Sequence, residues 1–167
     1  MTPFTRLFAL AVLVLASAPG YAGDFAQPKA GLHTGGQPTA EDLQRLKDEG
    51  VRTVIDLRGP QEARGFDEAR EAEALGMAYI ALPISGKDDI SAEKAKALHT
   101  LLQDREGGVL LHCASGNRVG ALLALGAAQI DGLPADEALA LGRAAGLKSL
   151  EPVVVEQLAT PSPAEPQ

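Results

Sequence analysis

The chain has 167 residues, of which 46% are hydrophobic, 22% charged and 4% aromatic, with a net charge of −7. That length and balance suit one globular domain and exclude a disordered chain. The acidic balance argues against a general nucleic-acid binder, which would present a basic face, yet leaves room for one locally positive site that takes a small anion.

Residues 1–22 read as an export signal. Arg6 supplies the positive start, 7–16 form an apolar run too short to span a bilayer comfortably, and Gly20 and Ala22 stand at the −3 and −1 positions of a cut before Gly23. An anchor that stays attached is the competing reading. Arg6 is the only charge in that stretch, so the mature net charge moves from −7 to −8. The mature protein is expected to be periplasmic or secreted, with no membrane attachment once the signal is gone.

Residues 23–36 are Gly-rich and read as irregular. Thr39 caps a helix over 40–49, with Glu41 and Asp42 where the helix dipole favours negative charge. The β-branched run 51–57 reads as a buried strand. Residues 61–75 read as a second helix closed by Gly76, and 77–82 as a short strand ended by Pro83. A polar loop, 84–90, leads to Ser91, which caps a helix over 92–103. A third strand covers 109–112, Gly116 opens a long apolar helix over 117–130, and helices over 134–145 and 147–159 follow. The Pro-rich stretch 160–167 reads as a disordered tail. Strands alternating with helices predict an α/β fold: a single three-layer domain with a central, largely parallel sheet.

The chemistry concentrates in His112-Cys113-Ala114-Ser115-Gly116-Asn117-Arg118, between a strand and a helix. Ligands bind at the carboxyl ends of parallel strands, and the free amides of a helix's first turn make an anion site there. Consecutive N–H groups from 114–118 can form a concave nest around phosphate. The mouth of such a nest favours a thiolate over a thiol, which makes Cys113 the candidate nucleophile. Gly116 lets the backbone curl inward, and Arg118 offers a planar fork for two oxygens of a tetrahedral anion. A lone Cys after a strand is ordinarily a small buried hydrophobe; the coupled Gly116 and Arg118 favour function. Cys113 is also the only cysteine, so no internal disulfide competes for it. His112 is either a group that orients the loop or a strand-end histidine bonded to backbone. Asp56 and Arg58 close the first strand and read first as a mutual ion pair. His33 and His99 stand alone, without ligand spacing, and no metal or cofactor site is indicated.

This segment resembles the signature of the protein tyrosine and dual-specificity phosphatases, in which His-Cys begins the loop and Arg ends it. Gly36-Gln37-Pro38-Thr39, Val54-Ile55-Asp56-Leu57-Arg58 and Leu82-Pro83-Ile84 extend the resemblance to the bacterial phosphatase-like domain also found fused to beta-lactamase-like hydrolases. It implies a cysteine-phosphatase-like domain over 23–159 that hydrolyses phosphate monoesters of a phosphoprotein or small molecule through a phosphocysteine. Cys113 would be the nucleophile and Arg118, with residues 114–117, the phosphate cradle. Asp88 and Asp89 lie in the loop that carries the general acid, a few residues later than the family pattern; each also reads as a solvated loop residue.

Two departures keep other readings open. Four residues separate Cys113 from Arg118, one fewer than in the phosphatase signature and the length found in rhodanese-type sulfurtransferases. Val119 stands where phosphatases place a hydroxyl that helps the thiolate leave. The alternatives are a sulfurtransferase that forms a Cys113 persulfide and a non-catalytic anion-binding module.

Overall fold

The computed structural model describes residues 24–103 and 105–159, so the expected signal and tail lie outside the described residues. Among the described residues, five strands form one sheet: β1 (Ala26–Lys29), β2 (Leu32–Gly35), β3 (Val51–Asp56), β4 (Ala78–Ala81) and β5 (Gly108–His112), in the order β1-β2-β5-β3-β4. β2, β5, β3 and β4 run parallel, and β1 pairs antiparallel at the edge. The helices are α1 (Ala40–Asp48), α2 (Glu68–Ala74), α3 (Ala92–Gln103), α4 (Asn117–Gln129), α5 (Ala135–Ala144) and α6 (Glu151–Ala159).

The alternation of side chains along the strands creates the three layers. Val54 and Leu110 pack with Leu43 and Leu46 of α1 and Ala72 of α2. Their neighbours Ile55 and Leu111 share a cluster with Ala95 and Leu98 of α3 and with Leu122 and Leu125 of α4. α4 lies in the thick of this second layer: every residue from Val119 to Ala127 is buried, which is why it is apolar all round. The expected α/β fold with a largely parallel sheet is the observed one.

Three local expectations are corrected. The stretch expected to be irregular is not so over residues 24–36: β1 and β2 form a hairpin there, and β2 pairs with β5 from Leu32↔Val109 to Gly35↔His112. Each strand has only four residues, and the buried β2 contains His33 and Thr34, so no apolar alternation announced it. The second helix is α2 alone. Asp67 is its N-cap and accepts the Arg70 N–H at 3.2 Å, while residues before Asp67 form a loop tied to the site. The last helix begins at Glu151 rather than at 147, because the turn before it is held from outside by Asn117. Elsewhere the expected caps form. Thr39 and Asp42 make a reciprocal capping box on α1.

One close packing positions that turn. A Cβ on Gly120 would lie 2.2 Å from the Leu147 nitrogen and 2.4 Å from the Gly142 oxygen, so only glycine lets α4 approach α5 this closely. The turn between α5 and α6 thereby comes to rest against residues 116–117.

Candidate active site

The loop 113–118 leaves β5 between the carboxyl ends of its two parallel neighbours. On one side the Cys113 N–H donates to the Gly35 oxygen at 3.3 Å, and the Gln37 N–H donates to the Ala114 oxygen at 3.4 Å. On the other, the Leu57 N–H donates to the His112 oxygen at 2.9 Å. Cys113 is buried at the base of the loop, while Ala114 and Ser115 are exposed at its crest. Gly116 caps α4 with φ 84°, the left-handed region that glycine enters freely, and its N–H donates to Cys113 Sγ at 3.1 Å. The turn thus aims a helix N-terminal amide at the sulfur, as the strand-loop-helix order predicted.

Arg118, one residue into α4, reaches back across the site. Its Nη1 donates to Glu62 Oε1 at 2.5 Å and to the Ile84 oxygen at 2.6 Å, and its Nη2 donates to Glu62 Oε2 at 2.7 Å. The Glu62 hydrogen bond is the main reason the Arg118 pKa is raised, and nearby Cys113 adds to it. The same pairing holds the Glu62 carboxyl below the usual carboxylate range. Glu62 Oε1 also accepts the Gly59 N–H at 2.6 Å.

Behind the loop lies a second, fully buried charged group. Arg58 donates through Nε and Nη2 to both oxygens of Asp56, at 2.9 and 2.8 Å, and through Nη2 to Glu68 Oε2 at 2.5 Å. Tyr79 donates its hydroxyl to Asp56 Oδ2 at 2.7 Å. Burial alone would raise the Asp56 pKa; hydrogen bonds from Arg58 and Tyr79 overcome it and hold the carboxyl at about 2. Burial, reinforced by Asp56, pushes the Tyr79 hydroxyl up to about 12. His112 Nε2 stands 2.7 Å from Glu68 Oε1, off the line of an aligned hydrogen bond, and Nδ1 lies 3.3 Å from the Cys113 oxygen. Asp56, Glu68 and His112 are spaced closely enough to hold a cation, but the Arg58 guanidinium already bonds both carboxylates.

The expected site residues fall into two groups. Cys113, Gly116 and Arg118 converge, with His112 immediately behind them. The Asn117 side chain faces away: Oδ1 accepts the Lys148 and Leu150 N–H groups at 2.8 and 3.3 Å, and Nδ2 donates to Ser149 Oγ at 2.7 Å. Only its backbone is left for an anion. Asp88 and Asp89 sit in a single 3-10 turn, Lys87–Asp89. Asp89 Oδ2 accepts the Ser85 N–H at 2.6 Å, and Asp88 is exposed. Asp56 and Arg58 form the expected ion pair. His33 is buried on β2 beside Gln27, and His99 is bonded to Gln103. Val119 is buried in the core.

Glu62, Glu68 and the Gln37 side chain were missed. Glu62 and Glu68 lay in a charged stretch that reads as an ordinary helix face, and nothing in it marks one carboxylate as an arginine's partner. A cavity of about 370 Å³ at the other end of the sheet, floored by Leu98, Leu102, Leu122 and Leu123, touches none of residues 112–118. Among the described residues no helix is long and apolar enough to cross a membrane.

Comparison with known proteins agrees with this geometry. A beta-lactamase hydrolase-like protein of Xylella fastidiosa is 35% identical over 120 residues, 69% of this chain and 27% of that protein. Its counterpart in Agrobacterium fabrum is 33% identical over 105 residues, 60% of this chain and 24% of that protein. The chain therefore spans about a quarter of the length of these relatives. Among solved structures, a candidate phosphatase of Neisseria meningitidis superposes with a TM-score of 0.68 at 23% identity, over 80% of this chain and 95% of that one. TpbA of P. aeruginosa, solved with pTyr, superposes with a TM-score of 0.61 at 19% identity, over 84% of this chain and 91% of that one. These likenesses establish the fold. The family model described as DSP-PTPase phosphatase fused to NAD+ kinase matches residues 21–143, and the chain belongs to that DSP-PTPase phosphatase family.

Proposed function

We propose that the protein is a cysteine-dependent phosphatase that hydrolyses phosphate monoesters. The observation that carries this reading is the convergence of Cys113 Sγ, the Gly116 N–H at 3.1 Å and Arg118 on one turn at the end of a parallel strand. In the proposed reaction, Cys113 Sγ attacks phosphorus and the ester P–O bond breaks. The bonding electrons leave on the ester oxygen, which Asp88 or Asp89 protonates. Amides of 114–118 and the Arg118 guanidinium hold the phosphoryl oxygens during transfer. Water then attacks phosphorus of the phosphocysteine, releasing orthophosphate and returning the thiolate. Of the two, Asp88 is favoured as the acid, because Asp89 Oδ2 already accepts the Ser85 N–H. His112 orients the loop from behind. The substrate is a phosphoprotein or phosphorylated small molecule; Tyr79 packs against the cluster of Leu43, Leu46 and Val54, with its hydroxyl on Asp56. The signal-like N-terminus supports action in the periplasm or outside the cell.

Purified mature protein is expected to hydrolyse para-nitrophenyl phosphate with inhibition by orthovanadate, and Cys113→Ser is expected to lose at least about 10⁴-fold in rate. Hydrolysis that survives the substitution would sink the reading.

A second reading has its own support in the short loop and in the buried Val119, which offers no hydroxyl to a departing thiolate. A Cys113 thiolate could attack the outer sulfur of thiosulfate, breaking the S–S bond, releasing sulfite and forming a persulfide that cyanide removes as thiocyanate. Thiosulfate and aryl phosphate assayed in parallel separate the two. Oxyanion binding with neither turnover selects the non-catalytic module.

A further inference from the structure

We propose that Glu62 is a positioning residue for oxyanion binding: it clamps the outer end of the Arg118 guanidinium so that the opposite edge is presented to the Cys113 loop. The inference rests on the reading of residues 113–118 as an oxyanion site, and it does not depend on whether phosphorus or sulfur is transferred there.

A donor count separates a clamp from a plug. A guanidinium has five N–H groups in one plane. Nη1 spends both of its own on Glu62 Oε1 and the Ile84 oxygen, and Nη2 spends one on Glu62 Oε2. The two that remain, on Nε and on Nη2, lie along a single edge, the geometry that meets two oxygens of a tetrahedral anion side by side. Glu62 therefore does not take the donors an incoming oxyanion needs. It takes the others, and by doing so stops a long side chain from rotating that edge away from the loop. Cys113 is near enough to contribute to the raised Arg118 pKa, so the guanidinium lies within reach of the sulfur.

Glu62 is itself held. Its Oε1 accepts the Gly59 N–H at 2.6 Å, and the loop that carries it is pinned where Gln37 Nε2 donates to the Arg64 oxygen at 2.5 Å. The Gln37 N–H also donates to the Ala114 oxygen. Gln37 thus ties the Glu62 loop and the Cys113 loop to one residue, so that clamp and cradle share a support.

The test measures orthophosphate binding by calorimetry, alongside ¹⁵N NMR of the Arg118 guanidinium, in the wild type, Glu62→Ala and the near-isosteric Glu62→Gln. Thermal melts establish that each variant is folded. The clamp predicts that orthophosphate affinity falls about tenfold or more in Glu62→Ala and by less in Glu62→Gln. It also predicts that the Arg118 Nη resonances, separate in the wild type, average in Glu62→Ala. Affinity within about twofold of wild type in a folded Glu62→Ala variant overturns the proposal, and so does tighter binding, which would make Glu62 a competitor of the anion. A wild type that binds neither orthophosphate nor orthovanadate removes the oxyanion site itself and the proposal with it. That failure is distinct, because it appears before any substitution is made.

Discussion

Two arginine-carboxylate constellations stand beside the Cys113 loop, built from the same chemistry and put to different ends. Behind the loop, Arg58 meets Asp56 and Glu68 with all three side chains at 0% exposure. In front, Arg118 meets Glu62 with exposures of 15% and 33%. Desolvation makes the difference. A buried pair cannot trade partners without stranding a charge in a poor solvent, so the rear cluster is fixed structure and braces β3, α2 and the strand end at His112. The front pair remains in touch with water, where an incoming anion can join it at modest cost. An arginine reads as fold or as function according to what surrounds it.

Four experiments probe that contrast, from the largest expected effect down. Arg58→Met removes the buried guanidinium that bonds both Asp56 and Glu68, leaving Asp56 only the more distant Arg64 at 3.6 Å, and is expected to cost about 3–5 kcal/mol in denaturant unfolding. Arg118→Lys keeps the charge but loses the planar fork; turnover is expected to fall about 10²–10³-fold, equivalent to about 3–4 kcal/mol, while unfolding free energy changes by less than about 1 kcal/mol. If both variants lose stability alike, the front pair is structural too and the contrast collapses.

Acid sharpens it further. The Asp56 pKa is lowered from 3.8 to about 2, so its contribution is fully present above the higher value and is lost as pH falls through the lower one. That window should remove about 2 kcal/mol of stability between roughly pH 4 and pH 2, and an Asp56→Asn variant should lack this limb. The smallest effect belongs to Asn117→Ala, which deletes the cap on the turn before α6 and should cost about 1 kcal/mol in a thermal melt while leaving oxyanion affinity near wild type. A large loss of affinity there would return the Asn117 side chain to the anion cradle.

Much of this was legible beforehand because it is local. The glycine at 116, the polar residues before α4 and the β-branched runs state their backbone preferences within a few residues, so the third strand, the Cys113 loop and α4 could be read in order. The Thr39 cap and the pairing of Asp56 with Arg58, two residues apart, were equally short-ranged. What failed was long-ranged. β2 owes its existence to β5, some 77 positions away at Leu32↔Val109, and Glu62 meets Arg118 across 56 residues. Nothing near Glu62 distinguishes it from Glu71 or Glu73 on a helix face. Asn117 looked like a cradle residue by position, and only the packing of Gly120 against Gly142 turned its side chain toward Ser149.

By itself, then, the order of residues determined the α/β class, the strand-loop-helix turn at Cys113 and the donors that turn can offer an anion, since backbone preference and hydrophobic period act over a few positions. Only the tertiary structure decided which carboxylate grips Arg118 and which surrounds Arg58. It also decided which loop residue's side chain stays out of the site. Those outcomes depend on burial and on contacts between distant segments, and a charge carries no mark of its future neighbours until the chain has closed around it.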